Sequence, residues 1–359
     1  MGAREERIIK RSVLTLSMVF ISVDGGATKT FSVLYDDNGN IISIGVRGSS
    51  NYRNVGVEEA SRSIWESITE AIDHSEYSLK DVDFYTFALA GVKDSDISTS
   101  IIDGFISKYG IKGKYELLND GEAGFRSRFP DSDGIIVAPG TGMIAYGKYG
   151  NLFERCSGWG WFIGDEGGAF YIGRRAIQES AKMADGRSAF PDNMLLQAIL
   201  DKFNVQDPRR LVNEIYKDKM DIRGIASLAT LVWENSKKGD EAAISILKES
   251  AREAATCAIA LKKKFKGANI PVSGYGGVYR SGEIYWNTFV SEITKRYPDT
   301  EFKKPLLGYH AVLGSMQIVM EKHGILIDGK KIDELAKILD RKVSELPSDE
   351  SSKYLMMRH

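Results

Sequence analysis

The sequence predicts an α/β protein built from two related halves, and three observations support this prediction. The stretch Ile21–Tyr35 reads as an apolar strand, a short polar turn rich in glycine and threonine, and a second apolar strand. A similar pattern returns at Ile135–Tyr146. Between the two stretches, strand patterns alternate with amphipathic helical patterns, which is typical of a compact α/β domain.

The first half opens with three short strands, which we expect to pair as antiparallel neighbours. Met18–Val23 is the first apolar strand, and the second follows the polar turn. The sequence D-N-G-N at 37–40 is a hairpin signal, because asparagine followed by glycine suits a two-residue turn, and it leads to a third strand at Ile41–Val46. Apolar residues then recur at helical spacing from Ala60 to Ile72, which predicts a helix. The next predicted elements are a strand, a helix and a strand, at Asp83–Ala90, Ile97–Tyr109 and Tyr115–Leu118.

The second half reads as a duplicate of the first. When Gly26 is aligned with Gly140, both polar turns follow matching apolar strands, and the Gly-Asn pairs downstream agree after a three-residue gap. A short match of this kind also allows two unrelated hairpins. Beyond Gly168 the patterns are mostly helical. The main predictions there are a long helix at Glu241–Lys264, a strand at Ile270–Val272, a helix from Ser281 to about Arg296, and a helical pattern near Ile332–Leu339.

Composition limits the classes of function. The chain of 359 residues has room for about two domains, with 43% apolar and 27% charged residues and a net charge of −1. This charge balance supports neither nucleic acid nor an anionic membrane as a partner. The sequence contains no run of 18 apolar residues, so it does not predict a membrane span. The two cysteines and four histidines are scattered, so a zinc site is unsupported, and we expect a cytoplasmic protein with reduced thiols.

The turn after the first strand has the composition of an anion site. Its candidate phosphate-binding residues are Asp24, Gly25, Gly26, Thr28, Lys29 and Thr30. The glycines let the backbone approach a phosphate and adopt positive φ, while hydroxyls and an ammonium group donate hydrogen bonds. Asp24 can hold hydrated Mg²⁺. The turn is not a Walker loop, because G-x-x-x-x-G-K-S/T is absent and a strand follows. On local composition alone, an ordinary turn is the alternative.

Seven polar loops follow one another in a fixed order and carry a family resemblance. They are D-G-G-A-T-K-T (24–30), G-S-S-N-Y-R-N-V-G (48–56), A-L-A-G-V (88–92), N-D-G-E-A (119–123), P-G-T-G (139–142), G-W-G-W-F-I-G-D-E-G-G (158–168) and S-G-Y-G-G-V (273–278). The set resembles the N-acetylglucosamine kinase type of the BadF/BadG/BcrA/BcrD ATPase family. This family lies within the actin/hexokinase/Hsp70-like superfamily, and the set also resembles archaeal sugar kinases. The resemblance covers about Met18–Met320.

The resemblance implies a two-lobed actin-like ATPase fold, which is ribonuclease H-like, with a duplicated βββαβαβ core and an interlobe cleft for ATP, Mg²⁺ and sugar. The expected domains are an N-terminal extension at 1–17, a first lobe at 18–120 with about 305–325, a second lobe at 121–304, and a C-terminal tail at 326–359. We assign no function to the C-terminal tail. Relatives are often dimers, so the resemblance also implies a homodimer, although the sequence shows no interface signature.

The resemblance also implies roles for residues in the catalytic and sugar sites. Asp120 is the expected catalytic base, and the expected sugar ligands are Asn51, Ala90, Gly91, Asp120 and Asp165. Each polar residue has a structural alternative. Asp120 before a helix is commonly an N-cap, Asn51 suits an Asx-turn, and Asp165 suits an acid-rich helix N-terminus. We expect Trp159 and Trp161 to shape the cleft wall or pack in the core.

The remaining implied site residues bind the nucleotide. A second phosphate hairpin is expected at Gly140, Thr141 and Gly142, and an adenosine loop at Gly276, Gly277 and Ser281. An ordinary strand-to-helix turn is the alternative for the adenosine loop.

The predicted function is an ATP-dependent sugar kinase that transfers the γ-phosphate to a primary hydroxyl of glucose, N-acetylglucosamine or glucosamine. The alternative substrate in this family is 2-keto-3-deoxygluconate, whose carboxylate can pair with Arg53. An activator ATPase of a 2-hydroxyacyl-CoA dehydratase would need an iron–sulfur cluster bound by cysteine thiolates, and nothing in the sequence places Cys156 and Cys257 together at an interface. A sugar-sensing transcription regulator would need a helix-turn-helix, for which the first 17 residues are too few.

Overall fold

The computed structural model describes residues 17–90, 92, 96–111, 114–216 and 222–346. The chain divides into two compact units. The first unit contains the residues up to Pro130 and those from Tyr309 onward, and the second unit runs from Asp131 to Gly308. Within the described ranges, no helix has the length and hydropathy needed to cross a bilayer.

The first unit contains a five-stranded mixed sheet in the order β3-β2-β1-β4-β5. Its strands are β1 (Val19–Gly25), β2 (Thr30–Asp36), β3 (Ile41–Arg47), β4 (Phe84–Leu89) and β5 (Tyr115–Asn119). The first three strands pair antiparallel, whereas β4 and β5 run parallel to β1. Strands β1, β2 and β4 are almost entirely buried, as expected for the centre of a sheet covered by helices on both faces.

Among the described residues, the helices of this unit that precede the second unit are α1 (Tyr52–Val55), α2 (Val57–Asp73), α3 (Asp96–Lys108) and α4 (Asp120–Arg126). Helix α2 buries one stripe of small and branched residues that includes Ile64, Ile68 and Ile72. These residues lie three to four positions apart and therefore share one face of the helix. They join strand residues of the sheet in one hydrophobic cluster.

The second unit repeats the strand order of the first. Strands β6 (Gly134–Pro139), β7 (Met143–Tyr149), β8 (Leu152–Ser157) and β9 (Val272–Gly274) form a sheet in the order β8-β7-β6-β9. Strands β6, β7 and β8 pair antiparallel, and β9 runs parallel to β6. The predicted duplication is therefore confirmed.

The fifth strand of the second sheet is reduced to two isolated parallel bridges. They join Val272 to Phe302 and Tyr275 to Leu306. Pro305 lies in this segment and has no N–H to donate to a ladder. Strand β9 also begins two residues later than predicted, because Pro271 at its start cannot donate either.

The helices of the second unit are α5 (Ala169–Ala184), α6 (Met194–Phe203), α7 (Leu211–Tyr216), α8 (Ile222–Lys237), α9 (Glu241–Lys264) and α10 (Glu283–Thr294). Helix α9 matches its predicted bounds. Asp240 caps its N-terminus by accepting the Ala243 N–H at 2.8 Å, and its buried alanines let neighbouring elements approach closely. A 3-10 turn, Gly277–Ser281, precedes α10, and Gly282 with φ 76° separates the two, so α10 begins two residues after the predicted start at Ser281.

The chain ends in the first unit with α11 (Val312–Lys322) and α12 (Gly329–Ser344). Helix α11 is buried from Val312 to Met320. A Cβ at Gly314 would overlap the carbonyl of Ala123, so α11 and α4 pack backbone against backbone. Helix α12 buries the pattern predicted near Ile332–Leu339 and extends it in both directions.

We predict that Gly314→Ala destabilises the protein by about 1–3 kcal/mol, because a backbone carbonyl cannot move aside as a flexible side chain can. The matched control is Gly104→Ala in α3, where a Cβ would meet nothing within 4 Å. The control should gain roughly 0.5–1 kcal/mol from helix propensity. Urea unfolding of both variants tests this, and equal stability of the two would contradict the close contact of α11 with α4.

Candidate active site

The first polar turn joins β1 to β2 and holds an ion pair. Lys29 Nζ lies 3.1 Å from Asp24 Oδ2, and both side chains are largely buried. The N–H of Gly26 donates to the carbonyl of Lys29 at 3.0 Å and closes the turn. A buried ammonium group beside a carboxylate, with backbone N–H groups close by, suits the recognition of a phosphate and its counterion.

Neither of the two glycines of this turn adopts positive φ. A Cβ at Gly25 would overlap the side chains of Ser50 and Leu89, so only glycine fits there. A Cβ at Gly26 would meet nothing within 4 Å. The prediction of positive φ is therefore wrong, whereas the open space beside Gly26 is compatible with a close-lying ligand.

Thr30 is placed differently from the prediction. It is fully buried, and its hydroxyl donates to the Gly48 carbonyl at 2.8 Å. Because side chains alternate along β2, Thr30 points into the unit, where it holds the start of the next loop. We therefore assign Thr30 a positioning role in place of a phosphate contact. Thr28 lies in the turn itself and is partly exposed.

The loop that contains Asn51 is attached to the same turn. The Gly26 carbonyl accepts hydrogen bonds from the Ser50 N–H at 3.2 Å and the Ser49 hydroxyl at 3.0 Å. The Asn51 N–H donates to Ser49 Oγ at 3.1 Å, which is the hydroxyl-centred turn that serine favours. Sequence reasoning missed the two serines, although adjacent small hydroxyl residues before Asn51 were a signal. The side chain of Arg53 lies outside the described residues.

Strand register brings three predicted site residues to one edge of the first sheet. Gly25 pairs with Leu89 and Leu89 pairs with Asn119. The residues that follow these positions are Gly26, Ala90 and Asp120. They lie at the carboxyl ends of parallel strands, the edge at which α/β sheets bind ligands. Ala90 is fixed to the turn by its N–H, which donates to the Gly25 carbonyl at 2.9 Å. Gly91 lies outside the described residues.

Asp120 is the first residue of α4 and is not its N-cap. Asn119 takes that position, with Oδ1 accepting the Gly121 N–H at 2.9 Å and Nδ2 donating to the Val92 carbonyl at 2.9 Å. Asp120 Oδ1 also accepts the Gly121 N–H at 2.9 Å. Because Asn119 caps the helix, capping alone does not account for an aspartate at 120.

In the second unit, the turn between β6 and β7 is held by a loop that we call the acid loop, residues 157–168. The loop begins where the Gly158 N–H donates to the Met143 carbonyl at 2.9 Å. It ends where the Ala169 and Phe170 N–H groups donate to the carbonyls of Gly140 and Thr141 at 2.8 and 3.0 Å. The acid loop therefore starts and finishes on the second polar turn.

Gly142 is required by this contact. A Cβ at Gly142 would overlap the Asp165 carboxylate, and a Cβ at Gly168 would overlap the Gly142 backbone. Gly140 differs, since a Cβ there would meet nothing within 4 Å. The structure thus places Gly140, Thr141, Gly142 and Asp165 together within one unit.

Asp165 has the features of a functional carboxylate. Its φ of 62° is rare for a residue other than glycine. Burial raises the pKa of Asp165 above its ordinary value, and the Glu166 charge adds to this, while N–H groups of Gly160 and Met143 oppose it. Helix α5 begins four residues later, with Gly168 as N-cap. Strain together with desolvation is more typical of a ligand-binding residue than of a helix terminus.

The tryptophans of the acid loop are placed differently from each other. Trp161 packs on Phe170 with ring centroids 5.3 Å apart. Trp159 is 71% exposed, and Phe162 and Ile163 are exposed as well. Trp159 is therefore not a core residue, and the apolar tip of the acid loop faces outward from its unit.

The predicted adenosine loop lies against the second polar turn. The Tyr275 N–H donates to the Val137 carbonyl at 3.1 Å. Gly276 has φ 134°, and a Cβ there would overlap the Pro139 carbonyl, so the position requires glycine. Gly277 is open, because a Cβ there would meet nothing within 4 Å, whereas Ser281 is buried at the end of the 3-10 turn.

Cys156 and Cys257 contact each other, which the sequence did not predict. Cys156 packs against the buried cluster of the second unit that contains Cys257, and each thiol shifts the pKa of the other. Cys257 is 8% exposed and lies in α9, and Cys156 is partly exposed near the end of β8. In the part of the chain that the structure describes, no three His, Cys, Asp or Glu side chains are grouped to bind a metal.

Asp24 is compatible with Mg²⁺ only together with a ligand that supplies further oxygen atoms. Mg²⁺ is commonly bound through one or two carboxylates plus substrate phosphates and water. One largely buried carboxylate next to the phosphate-type turn matches that donor set, whereas a dedicated protein cage does not occur among the described residues.

Comparison with known proteins identifies relatives along most of the chain. The N-acetylmuramic acid/N-acetylglucosamine kinase of Clostridium acetobutylicum is 31% identical over 283 residues, covering 77% of this chain and 91% of that protein. The N-acetyl-D-glucosamine kinase of Dictyostelium discoideum is 26% identical over 297 residues, covering 79% and 92%.

Solved structures show the same fold at lower identity. The ROK family glucokinase of Streptomyces griseus, in complex with glucose and AMPPNP, matches with a TM-score of 0.56 and 16% identity over 84% of this chain and 99% of its own. A Porphyromonas gingivalis protein provisionally named an N-acetylglucosamine kinase matches with a TM-score of 0.68 and 18% identity over 85% and 99%. The fold is that of the actin-like sugar kinases, as predicted.

The family model for BadF/BadG/BcrA/BcrD ATPases matches residues 21–317. This range contains both polar turns, Asp120 and the acid loop. The chain therefore belongs to the BadF/BadG/BcrA/BcrD ATPase family, whose members use ATP.

Proposed function

We propose that this carbohydrate kinase transfers the γ-phosphate of ATP to the primary hydroxyl of N-acetylglucosamine. The observation that supports this most directly is the strand register of the first sheet, which sets Asp120 at the same edge as the Gly26 turn and Ala90. A carboxylate at the end of a strand, at the same sheet edge as a phosphate-type turn, suits a base that serves a phosphoryl acceptor.

Asp120 acts as the proposed general base. Its carboxylate accepts the proton of the attacking sugar hydroxyl as the hydroxyl oxygen bonds to the γ-phosphorus and the bond to the ADP oxygen breaks. Asn119 fixes the backbone at this point by capping α4 and bonding to Val92. The position of the Asp120 carboxylate is thereby set by a rigid strand end rather than by a loop.

The two polar turns are the proposed phosphate ligands. In the first unit, the proposed phosphate-binding groups are Lys29, Thr28 and the open backbone at Gly26. In the second unit, they are those of the Gly140–Gly142 turn. Asp24 would hold Mg²⁺, which neutralises charge on the phosphate oxygens when bound. The loop with Gly276 and Gly277 is the proposed adenosine site, since Gly276 allows the backbone to pass close to the Pro139 strand end.

Asn51, Ala90 and Asp165 are the proposed sugar ligands. Asn51 can both donate and accept hydrogen bonds, as a sugar hydroxyl requires. The preference for an N-acetylated hexose rests on the two kinases of C. acetobutylicum and D. discoideum, which match this chain over nearly their whole length. Because ATP is kept inside cells, we place the proposed reaction in the cytoplasm. The homodimer stays a prediction.

A substrate panel tests the proposal. The purified protein is assayed for ADP release with N-acetylglucosamine, N-acetylmuramic acid, glucosamine, glucose and 2-keto-3-deoxygluconate, and the phosphorylated position is read by ³¹P NMR. We expect the highest kcat/KM on N-acetylglucosamine. Absence of turnover on every sugar would refute the proposal. A preference for 2-keto-3-deoxygluconate would instead identify the sugar acid as the substrate.

The activator ATPase alternative is not supported. Its cluster would need thiolates that reach a second subunit, but Cys257 is buried within the second unit. Iron in an anaerobic preparation would reverse this conclusion.

We predict that Asp120→Asn lowers kcat by about 10²–10⁴-fold, because the amide cannot accept the hydroxyl proton. Sugar and ATP affinities, measured by isothermal titration, should stay within a few-fold of wild type. Glu122→Gln, an acid-to-amide change two residues along in the same helix turn, is the matched control and should keep its activity. Near-normal turnover of Asp120→Asn would remove Asp120 from the base role.

We predict that Asp24→Asn raises the Mg²⁺ concentration needed for half-maximal rate by roughly tenfold or more, because it removes the carboxylate of the donor set. The measurement is a Mg²⁺ titration at saturating ATP and sugar. Asp37→Asn, beyond the end of β2, is the control. An unchanged Mg²⁺ dependence would contradict the assignment of Asp24.

We predict that Asp165→Asn weakens sugar binding and changes the pH dependence of stability. Since burial raises the folded-state pKa of Asp165, the native state binds the proton more readily than the unfolded state. Wild-type stability should therefore fall relative to the variant as pH rises from the ordinary aspartate pKa, near 3.8, through the raised folded value. Urea unfolding of both proteins from pH 4 to pH 8 tests this, and parallel curves would contradict a desolvated carboxylate at 165.

A further inference from the structure

The proposed reaction makes no use of the two cysteines, yet they are placed in contact. Cys156 lies in β8, one residue before the acid loop begins, and Cys257 lies in α9. Cys156 packs against the buried cluster of the second unit that contains Cys257. The chain contains two cysteines in total, so each has the other as its single intramolecular partner for a disulfide.

Helix α9 supports both ends of the acid loop. At the start, Lys264 Nζ lies 2.6 Å from Glu154 Oε2 in β8, and Cys156 meets Cys257. At the end, a Cβ on Gly167 would approach the Ala254 nitrogen at 3.1 Å, so the loop backbone lies directly on α9 one turn before Cys257. A change in the contact between β8 and α9 therefore acts on the segment that carries Asp165.

The two thiols differ in reactivity. The neighbouring Cys257 thiol and the positive charge of Lys264 lower the pKa of Cys156 to about 7. The same contact and burial raise the pKa of Cys257. Cys156 is also the more exposed of the two. A partly exposed thiolate beside a buried thiol is the arrangement of an attacking and a resolving cysteine.

We propose that Cys156 and Cys257 are an oxidative modification site whose reversible disulfide ties the start of the acid loop to α9 and weakens sugar binding. The effect on sugar rests on the proposed function, whereas formation of the disulfide does not. The oxidant is a small-molecule disulfide such as oxidised glutathione.

The disulfide forms by thiol–disulfide exchange in two steps. The Cys156 thiolate attacks one sulfur of the oxidant, whose S–S bond breaks and releases one thiolate. Cys257 then loses its proton and attacks Cys156 Sγ, which breaks the mixed disulfide and releases the second thiolate. The protein loses two electrons, and the oxidant is reduced to two thiols.

The disulfide would displace the acid loop because a covalent S–S bond is about 2.05 Å long, well below the separation of two sulfur atoms that are in contact without a bond. The residues next to Cys156 are Ser157 and Gly158, with φ of 63° and 75°. A segment held in these conformations has little freedom to absorb the shift. Because displacements near 1 Å can cost up to about a hundredfold in a positioned site, we expect KM for sugar to rise about tenfold or more.

The test uses the full chain, first reduced and then incubated with oxidised glutathione at pH 6 and pH 8. Non-reducing peptide mapping should find the Cys156–Cys257 cross-link, formed faster at pH 8, where the Cys156 thiolate is more populated. KM for sugar should rise while KM for ATP changes little, and dithiothreitol should restore both. Cys257→Ala and Cys156→Ser are the controls, and neither should show the reversible rise in KM.

The outcomes separate the two proposals. A stable glutathione adduct on Cys156, or no oxidation, would overturn the disulfide. A cross-link with unchanged sugar KM would overturn its effect on the acid loop. Absence of turnover in the reduced protein would instead count against the proposed kinase activity, while the peptide map would still decide whether the disulfide forms.

Discussion

In each unit, one backbone carbonyl links a polar turn to a neighbouring loop: that of Gly26 in the first unit and that of Gly140 in the second. Each belongs to a polar turn, and each accepts a hydrogen bond from the segment that carries a proposed sugar ligand. Gly26 accepts from Ser50, next to Asn51, and Gly140 accepts from Ala169, at the end of the acid loop. In both units, therefore, a turn suited to phosphate and a loop suited to sugar form one connected structure.

This arrangement explains where the chain cannot vary. Gly25 leaves room for Ser50, and Gly142 leaves room for the Asp165 carboxylate. A side chain at either position would separate the turn from its loop, because the groups in contact are themselves site residues or neighbours of site residues. Gly26 and Gly140 are the open positions, since a Cβ at either would meet no protein atom within 4 Å. Packing thus requires Gly25 and Gly142, whereas no protein contact requires glycine at 26 or 140.

The sequence was sufficient to predict the duplicated sheets, the bounds of α9 and the position of Asp120 at a strand end, because each depends on local periodicity or on turn chemistry. It was insufficient where long-range packing decides. The Thr30 side chain points inward, where its hydroxyl donates a hydrogen bond to the Gly48 carbonyl. Alternation along β2 indicates this orientation only when the pairing of β2 with its neighbours is known. The start of β9 depends on which N–H groups can pair, and Pro271 shifts it. Cys156 and Cys257 are 101 positions apart in the chain and come together only because α9 packs on β8.

If the phosphate turns and the sugar loops are coupled, a bound nucleotide should change the affinity for sugar, and sugar binding can be measured with and without nucleotide. N-acetylglucosamine is titrated into the protein by calorimetry, first alone and then with saturating AMPPNP and Mg²⁺. We expect the analogue to tighten sugar binding by about fivefold or more, as hydrogen-bonded sites with a shared backbone allow. Equal affinity under the two conditions would contradict it.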